Sequence, residues 1–320
     1  MLEQPFRARG LVLIPPDLTL PDWPERMAAA GLNVIGYHTA RGPSEITEFL
    51  RTEVGQASRE RFAECGLDIE YEMHAMQELL PRGLFERDPE LFRMDESGTR
   101  VPEWNLCPSH ASALEIVGEN AVRVCEALTP TTHRYYLWSD DGKPWCQCPE
   151  CRGLNDADQT LLTTNAILAA LRQWDPQARV AGLVYHATLT PPTQVRPAEG
   201  VFLEFAPIER RWDRPLTDRT IEAHARALDA LDAAIEIYSM DEHAQVLEYW
   251  MDASRHSGWQ RPAVAVPWHP EVLAADLESY AAKGFRRVTS FGCHLDAEYL
   301  AMHGEPPVAA YGAALLGGDA

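Results

Sequence analysis

The chain predicts a (β/α)8 barrel of parallel strands, and three features of the sequence carry that expectation. The apolar period switches repeatedly between strand-like and helix-like along the 320 residues, which places a parallel sheet inside a shell of helices. No compositional break or flexible linker divides the chain, so residues 1–320 read as one barrel domain. No Gly-rich G-x-G-x-x-G run follows an early strand, which argues against a doubly wound open sheet.

The elements follow in order. "GLVLIPP" (10–16) is a short apolar run, and an amphipathic stretch covers 22–30. "LNVIGYH" (32–38) is the next strand, followed by a long helical pattern over 44–65. "LDIEYEMH" (67–74) alternates apolar and polar as a barrel strand does. The segment 75–108 is long, irregular and rich in Pro, Arg and aromatics, and a loop of that length inside a compact domain is usually functional. A helix over 109–127 leads to "RYYLWSDD" (134–141). Residues 157–174 are helical and stop at "DP". "RVAGLVYH" (179–186) and "VFLEFAP" (201–207) are strands joined by a Pro-rich loop without a helix. Residues 217–230 read as helix, "AAIEIYSM" (233–240) as strand, and 243–255 as helix. "AVAVPWH" (263–269) is a short apolar run, 270–283 is helical, "RRVTSFGCHL" (286–295) is a strand, and a last helix covers 308–316. That is nine strand candidates for eight places, and "AVAVPWH" is taken as the surplus, an extra piece near the rim.

Composition bounds the partners. An apolar share of 46% suffices for a full core, and a formal charge of −20 argues against duplex nucleic acid or an anionic membrane surface. No apolar run reaches the roughly 18 residues of a spanning helix, and the opening apolar stretch is too short for a signal peptide. The chain therefore reads as soluble and cytoplasmic. Seven cysteines, three of them crowded together, do not resemble a secreted disulfide framework.

In a barrel of this kind the functional groups sit at the C-terminal ends of strands and in the loops that follow. Those ends supply Tyr37 and His38, Glu72 and His74, and Trp138 with Asp140 and Asp141. Later strands supply Tyr185 and His186, Glu204, Tyr238 with Asp241 and Glu242, Trp268 and His269, and finally His294. Carboxylates, imidazoles and aromatic rings suit a saccharide, whose faces stack on rings and whose hydroxyls bind carboxylates and His. A phosphate would call for Gly, Lys and Arg. Glycosidic cleavage usually needs two carboxyl groups. Asp140 and Asp141 point to opposite sides if the strand continues, but both can serve if "SDDG" is a turn, as its residue types favour. Two arrangements follow. Either Asp141 donates the proton while Asp140 orients an acetamido group acting as internal nucleophile, or Asp141 works with Glu204 in a direct displacement by water. His38, His74, Trp138, Tyr185, His186, Tyr238, Trp268 and His294 are the expected sugar contacts. Arg82, Arg100, Arg210 and Arg211, on loops, are available to a uronate.

Cys146, Cys148 and Cys151 form C-x-C-x-x-C, three soft ligands within six residues, a good start for zinc. Cys107, His110 and His133 are candidates for a fourth ligand, with Cys107 favoured because "WNLCPSH" sits on a loop at the same end of the barrel. Three thiolates donate charge and make a poor Lewis acid, so a structural zinc is favoured over a catalytic one. A local disulfide, or reduced thiols without metal, is the alternative. Cys65, Cys125 and Cys293 read as core residues.

Several stretches together resemble a known family. "GLDIEYEMHAM", "LFERDPELFRMDESGTRVPEWNLCPSH", "WSDDGKPWCQCPECRGL" and "ARVAGLVYHATLTPP" are similar, in order and spacing, to domain-of-unknown-function family 4838, a glycoside-hydrolase-like barrel family related in architecture to the α-glucuronidases and β-hexosaminidases. The resemblance runs from about residue 66 to 300. It implies a TIM barrel, with His74 at a substrate-contacting position, Asp141 as the key carboxylate, Cys107, Cys146, Cys148 and Cys151 as the cysteine set, and Tyr185 as a pocket aromatic. The chain departs from the family in having Asp140 where Asn is common, and in lacking large accessory domains, which suggests a smaller or intracellular substrate. The expectation is a glycoside hydrolase acting on an amino-sugar- or uronic-acid-containing oligosaccharide, with no cofactor required for the chemistry. A non-catalytic carbohydrate-binding barrel and a zinc-dependent hydrolase are the alternatives.

Overall fold

The computed structural model describes residues 5–318. Its eight strands are β1 (Ala8–Leu13), β2 (Val34–Thr39), β3 (Asp68–His74), β4 (Arg134–Trp138), β5 (Arg179–Val184), β6 (Val201–Phe205), β7 (Gln245–Glu248) and β8 (Arg287–Phe291). They close into one barrel in chain order, every pair parallel, with Ala8 beside Arg287 and Val12 beside Phe291 where β1 meets β8. The helices are α1 (Trp23–Ala29), α2 (Pro43–Arg51), α3 (Glu53–Glu64), α4 (Met76–Leu79), α5 (Ala111–Ala127) and α6 (Asp156–Trp174). They continue with α7 (Glu222–Ile237), α8 (Ala253–His256), α9 (Pro270–Ala282), α10 (Ala297–His303) and α11 (Val308–Leu315). Among the described residues no helix is long and apolar enough to cross a membrane.

The period of two along a strand decides what fills the barrel. On β4, Tyr135 and Leu137 join the core beneath the helices, while Arg134, Tyr136 and Trp138 fall on the opposite face. The interior is a polar plug. Tyr136 donates its hydroxyl hydrogen to Glu70 Oε2 (2.6 Å), Arg287 donates to Glu70 Oε1 (2.9 Å), and Arg134 donates to Gln245 Oε1 (2.9 Å). Two guanidiniums beside it hold the Glu70 carboxyl below the usual range, overcoming its burial. Gly36 leaves room for the Glu72 carboxyl, since a Cβ would lie 2.7 Å from its Oε1. The plug fills the lower barrel, and the large cavity opens at the upper mouth.

Three stretches differ from the sequence reading. "AAIEIYSM" is not a strand: Ile237 ends α7, and Ser239 alone makes an isolated bridge to Phe202. Ala227, Ala230 and Ala234 bury a helical stripe there, and the i, i+3, i+4 spacing continues through the run that looked alternating. The helix expected over 243–255 is instead β7, a turn and the short α8. Gln245 and Glu248 are polar letters within that run, yet both are fully buried with partners, Gln245 in the plug and Glu248 against Arg210 and Tyr280. "AVAVPWH" forms no strand, in keeping with its place as the surplus. The expected helix over 44–65 breaks at Thr52, whose Oγ1 accepts from the Gly55 N–H and starts α3. Segment 75–108 is organised around α4 and the antiparallel bridges Phe92–Leu106 and Met94–Arg100.

Candidate active site at the barrel mouth

The C-terminal ends of the strands surround a cavity of about 1100 Å³. Its floor is aromatic. Trp138 meets His74 edge-on at 5.2 Å and His38 at 5.9 Å between centroids, and Phe291 lies 4.9 Å from His38 and 5.2 Å from Tyr249. Trp138 is fixed from below, its Nε1–H donating to Glu204 Oε2 at 2.8 Å.

The two imidazoles at the ends of β2 and β3 are set in one tautomer. His38 Nδ1 lies 2.7 Å from the Glu72 carbonyl, and His74 Nδ1 contacts the Ser139 carbonyl. A carbonyl only accepts, so Nδ1 carries the hydrogen in each ring and Nε2 is left as an acceptor. Burial lowers both pKa values, that of His38 to about 4. Both rings are therefore neutral near pH 7, suited to accept from a sugar hydroxyl.

Both aspartates of "SDDG" line the cavity. β4 ends at Trp138, and Gly142 takes φ 58° in the turn that follows, so strand alternation does not send them apart. Asp141 is exposed and accepts the Tyr185 hydroxyl hydrogen on Oδ1 at 2.9 Å. Asp140 is 8% exposed, with its backbone N–H held by Asn105 Oδ1 (3.0 Å). Its Oδ2 is buried without a hydrogen-bond partner, and the nearest cation, Arg82, stands 3.6 Å away. Burial pushes the Asp140 carboxyl up despite that guanidinium.

Of the remaining expected contacts, His186 and His294 line the same cavity, His186 with Nδ1 3.0 Å from Glu209. Three others do not. Glu204 is fully buried under Trp138, inside the barrel, and burial raises its carboxyl to about 8. The direct displacement pairing it with Asp141 lacks a shared space. Tyr238, at the end of α7, packs where a Gly182 Cβ would be, 2.5 Å from its ring. Trp268 packs against the core under the helices. Of the loop arginines, Arg210 is buried, 2.8 Å from Glu248 and 2.7 Å from Asp276, and takes no part in the mouth.

The structure adds residues that sequence reading missed. Tyr249 and Asp252, just past β7, line the cavity, and burial lifts the Asp252 carboxyl to about 6. Reading β7 as helix hid them: with "QVLE" taken as a strand, the strand-end rule points to both. Trp104 and Trp259 also line the mouth, and no local pattern marks them.

The four cysteines expected to cluster do so. The Sγ atoms of Cys107, Cys146, Cys148 and Cys151 lie within 4.8 Å of one another and are buried, with Cys107 being 3.8 Å from both Cys148 and Cys151. All four are free, with no disulfide among them. A tetrahedral ion with bonds of about 2.3 Å separates its sulfurs by about 3.8 Å, so the residues fit zinc. The Met94 N–H donates to Cys146 Sγ at 3.3 Å, and the Ser109 hydroxyl lies 3.0 Å from Cys151 Sγ, polar neighbours that would support metal-bound sulfurs. None of the four lines the mouth cavity. His110 and His133 stay outside the cluster.

Fold and mouth together define a (β/α)8 barrel with an open cavity at the C-terminal ends of its strands, lined by carboxylates, imidazoles and aromatic rings. The chain belongs to the family described as domain of unknown function (DUF4838), whose model matches residues 37–294. Among solved structures it is similar to a β-N-acetylhexosaminidase from Bacteroides fragilis NCTC 9343, with TM-score 0.56 and 13% identity over 97% of this chain and 65% of that one. It is also similar to Gan42B, a GH42 β-galactosidase, with TM-score 0.55 and 12% identity over 98% of this chain and 57% of that one. A catalytic mutant of that enzyme, from G. stearothermophilus, gives TM-score 0.54 at 12% identity, over 98% and 57% of the two chains. The chain thus spans about three fifths of the length of these structures, and the likeness is one of fold. No curated protein sequence matches it.

Proposed function

We propose that this barrel hydrolyses a glycosidic bond in an amino-sugar- or uronic-acid-containing oligosaccharide, with an N-acetylated amino sugar the better fit. The observation that supports this most is Asp140 beside Asp141 at the mouth, one buried with an unpartnered oxygen and the other held by a tyrosine hydroxyl. A buried acceptor without a donor calls for one from the ligand. An acetamido N–H supplies it, and in accepting that hydrogen Asp140 turns the acetamido oxygen towards the anomeric carbon. Tyr185 fixes Oδ1 of Asp141, leaving Oδ2 to carry the proton.

The step then balances without a cofactor. Asp141 gives its proton to the glycosidic oxygen as the C–O bond breaks and the acetamido oxygen bonds to the anomeric carbon. Water then attacks that carbon, Asp141 takes back a proton, and the acetamido group is restored. His38 and His74 accept from ring hydroxyls, and Trp138 offers its face. A structural zinc would be held by Cys107, Cys146, Cys148 and Cys151, away from the reacting atoms. That position counts against a zinc-dependent hydrolase.

The test is a panel of nitrophenyl glycosides, including the N-acetyl-β-glucosaminide and the β-glucuronide, assayed with the parent and with Asp141→Asn. Loss of the proton donor lowers kcat by about 10²- to 10⁴-fold. The fall is larger on a disaccharide, whose leaving alcohol needs the proton more than nitrophenol does. Equal turnover by the variant on any substrate the parent cleaves removes Asp141 from the mechanism. A saccharide bound and never cleaved is the result a binding module gives.

A further inference from the structure

Five non-glycine residues among those described have a positive φ, and four of them line the mouth: Trp104 (68°), His186 (49°), Trp259 (59°) and His294 (67°). Bulky side chains rarely occupy that region, and where they do the surroundings must hold them there. The two tryptophans are the harder to account for by packing. Trp259 is 67% exposed, so its ring gains little from the protein around it.

Looseness does not explain that exposure. The Trp259 N–H donates to the Ser254 carbonyl at 2.7 Å. Val264 N–H donates to Ser257 Oγ (2.9 Å), Arg261 to Asp17 (2.8 Å), and Val266 N–H to the Tyr299 hydroxyl (3.0 Å). A pinned segment thus presents a bare indole to the cavity. Trp104 is half-buried and also lines the cavity. Lys143 Nζ lies 4.2 Å from its ring centroid. The next residue, Asn105, takes the Asp140 N–H on its Oδ1 and donates to the Lys143 carbonyl. The backbone that carries Trp104 is thereby tied to the turn that bears the carboxylate pair. Trp104 lies in the segment after β3 and Trp259 in the one after β7, strands four places apart in a ring of eight, and both line the mouth.

We infer that Trp104 and Trp259 are outer sugar platforms, and that the substrate is an oligosaccharide extending across the mouth beyond the ring at Asp141. An indole is a large, rigid face with little conformational freedom to lose on binding. The cavity, at about 1100 Å³, is slightly larger than the roughly 300–1,000 Å³ that holds drug-sized ligands, more than one sugar ring needs. The inference rests on the saccharide reading of the site above and names the length of its substrate.

The experiment titrates Asp141→Asn protein, to prevent turnover, with two series of one to four units by calorimetry: β-1,4-linked N-acetylglucosamine and α-1,4-linked galacturonic acid. It is repeated with Trp259→Asn and Trp104→Asn added singly, because asparagine tolerates the left-handed backbone while removing the ring. Melting curves confirm that the variants fold. The expected result is affinity at least about tenfold higher for four units than for one in one series, with most of the gain lost in each tryptophan variant and single-unit affinity kept. Equal affinity for one and four units, or a gain that survives both substitutions, overturns the platforms and leaves the saccharide site standing. No binding of any member of either series overturns the platforms and the saccharide reading together.

Discussion

The hydroxyl of Tyr185 at 2.9 Å from Asp141 Oδ1 is the contact on which the proposed proton transfer is most exposed to a single-atom test. Its ring meets His186 edge-on at 4.6 Å, and Tyr185→Phe keeps that packing while deleting the donor. A hydrogen bond to a charged group is worth about 1.5–3 kcal/mol, so kcat should fall by roughly 10- to 100-fold with little change in melting temperature. Unchanged kcat in steady-state assays shows that Asp141 is oriented by something else. Asp140, Asp141, His38, His74, Trp138, Tyr185, His186 and His294 were legible because each sits at or just past the end of a strand that the apolar pattern marks. Glu204 obeys the same rule and still faces the interior under Trp138. Strand period tells which face a side chain takes, but the height at which an aromatic floor closes the barrel depends on long-range packing. Trp104 and Trp259 lie in loops whose course is set by contacts with Lys143, Asn105 and Asp17, which no local period encodes.

Among elements, β7 shows where periodicity fails. Four buried residues with two polar letters give neither a clean alternation nor an apolar run, since Gln245 and Glu248 have their partners on other strands and helices. The better-marked strands leave carboxyls inside the barrel as well. Burial raises Glu204 to about 8 and Glu72 well above its ordinary value, and both Glu72 oxygens lack hydrogen-bond partners. A carboxyl that titrates near 4.5 in the unfolded chain and near 8 in the fold binds more protons folded than unfolded between those values. Its contribution to stability is then present at acid pH and falls as pH rises through that window. Glu204→Gln keeps an acceptor for Trp138 Nε1–H and has no proton to lose. Melting curves from pH 5 to 9 should show a shallower alkaline decline than the parent, with the variant the more stable at pH 8–9. A parallel decline places the ionising group elsewhere.

At the scale of the whole molecule the cysteine cluster ties two excursions of the chain. Cys107 ends the segment after β3 that carries Trp104 and Asn105, and Cys146, Cys148 and Cys151 follow the turn bearing Asp140 and Asp141. A cation that binds the folded arrangement alone adds its binding free energy to stability. Protein purified under reducing conditions without chelator should carry about one zinc per chain by elemental analysis. Stripping the metal should lower the melting temperature by roughly 10 °C or more, since each kcal/mol shifts a chain of this size by about 2 °C. The cluster lies outside the cavity, so activity should follow the fraction folded as the stripped protein is warmed. Activity lost at temperatures where the stripped protein is still fully folded assigns the metal a part in the reaction. Metal-free protein with an unchanged melting temperature removes the clip altogether and leaves the two loops held by the Asn105, Met94 and Ser109 contacts.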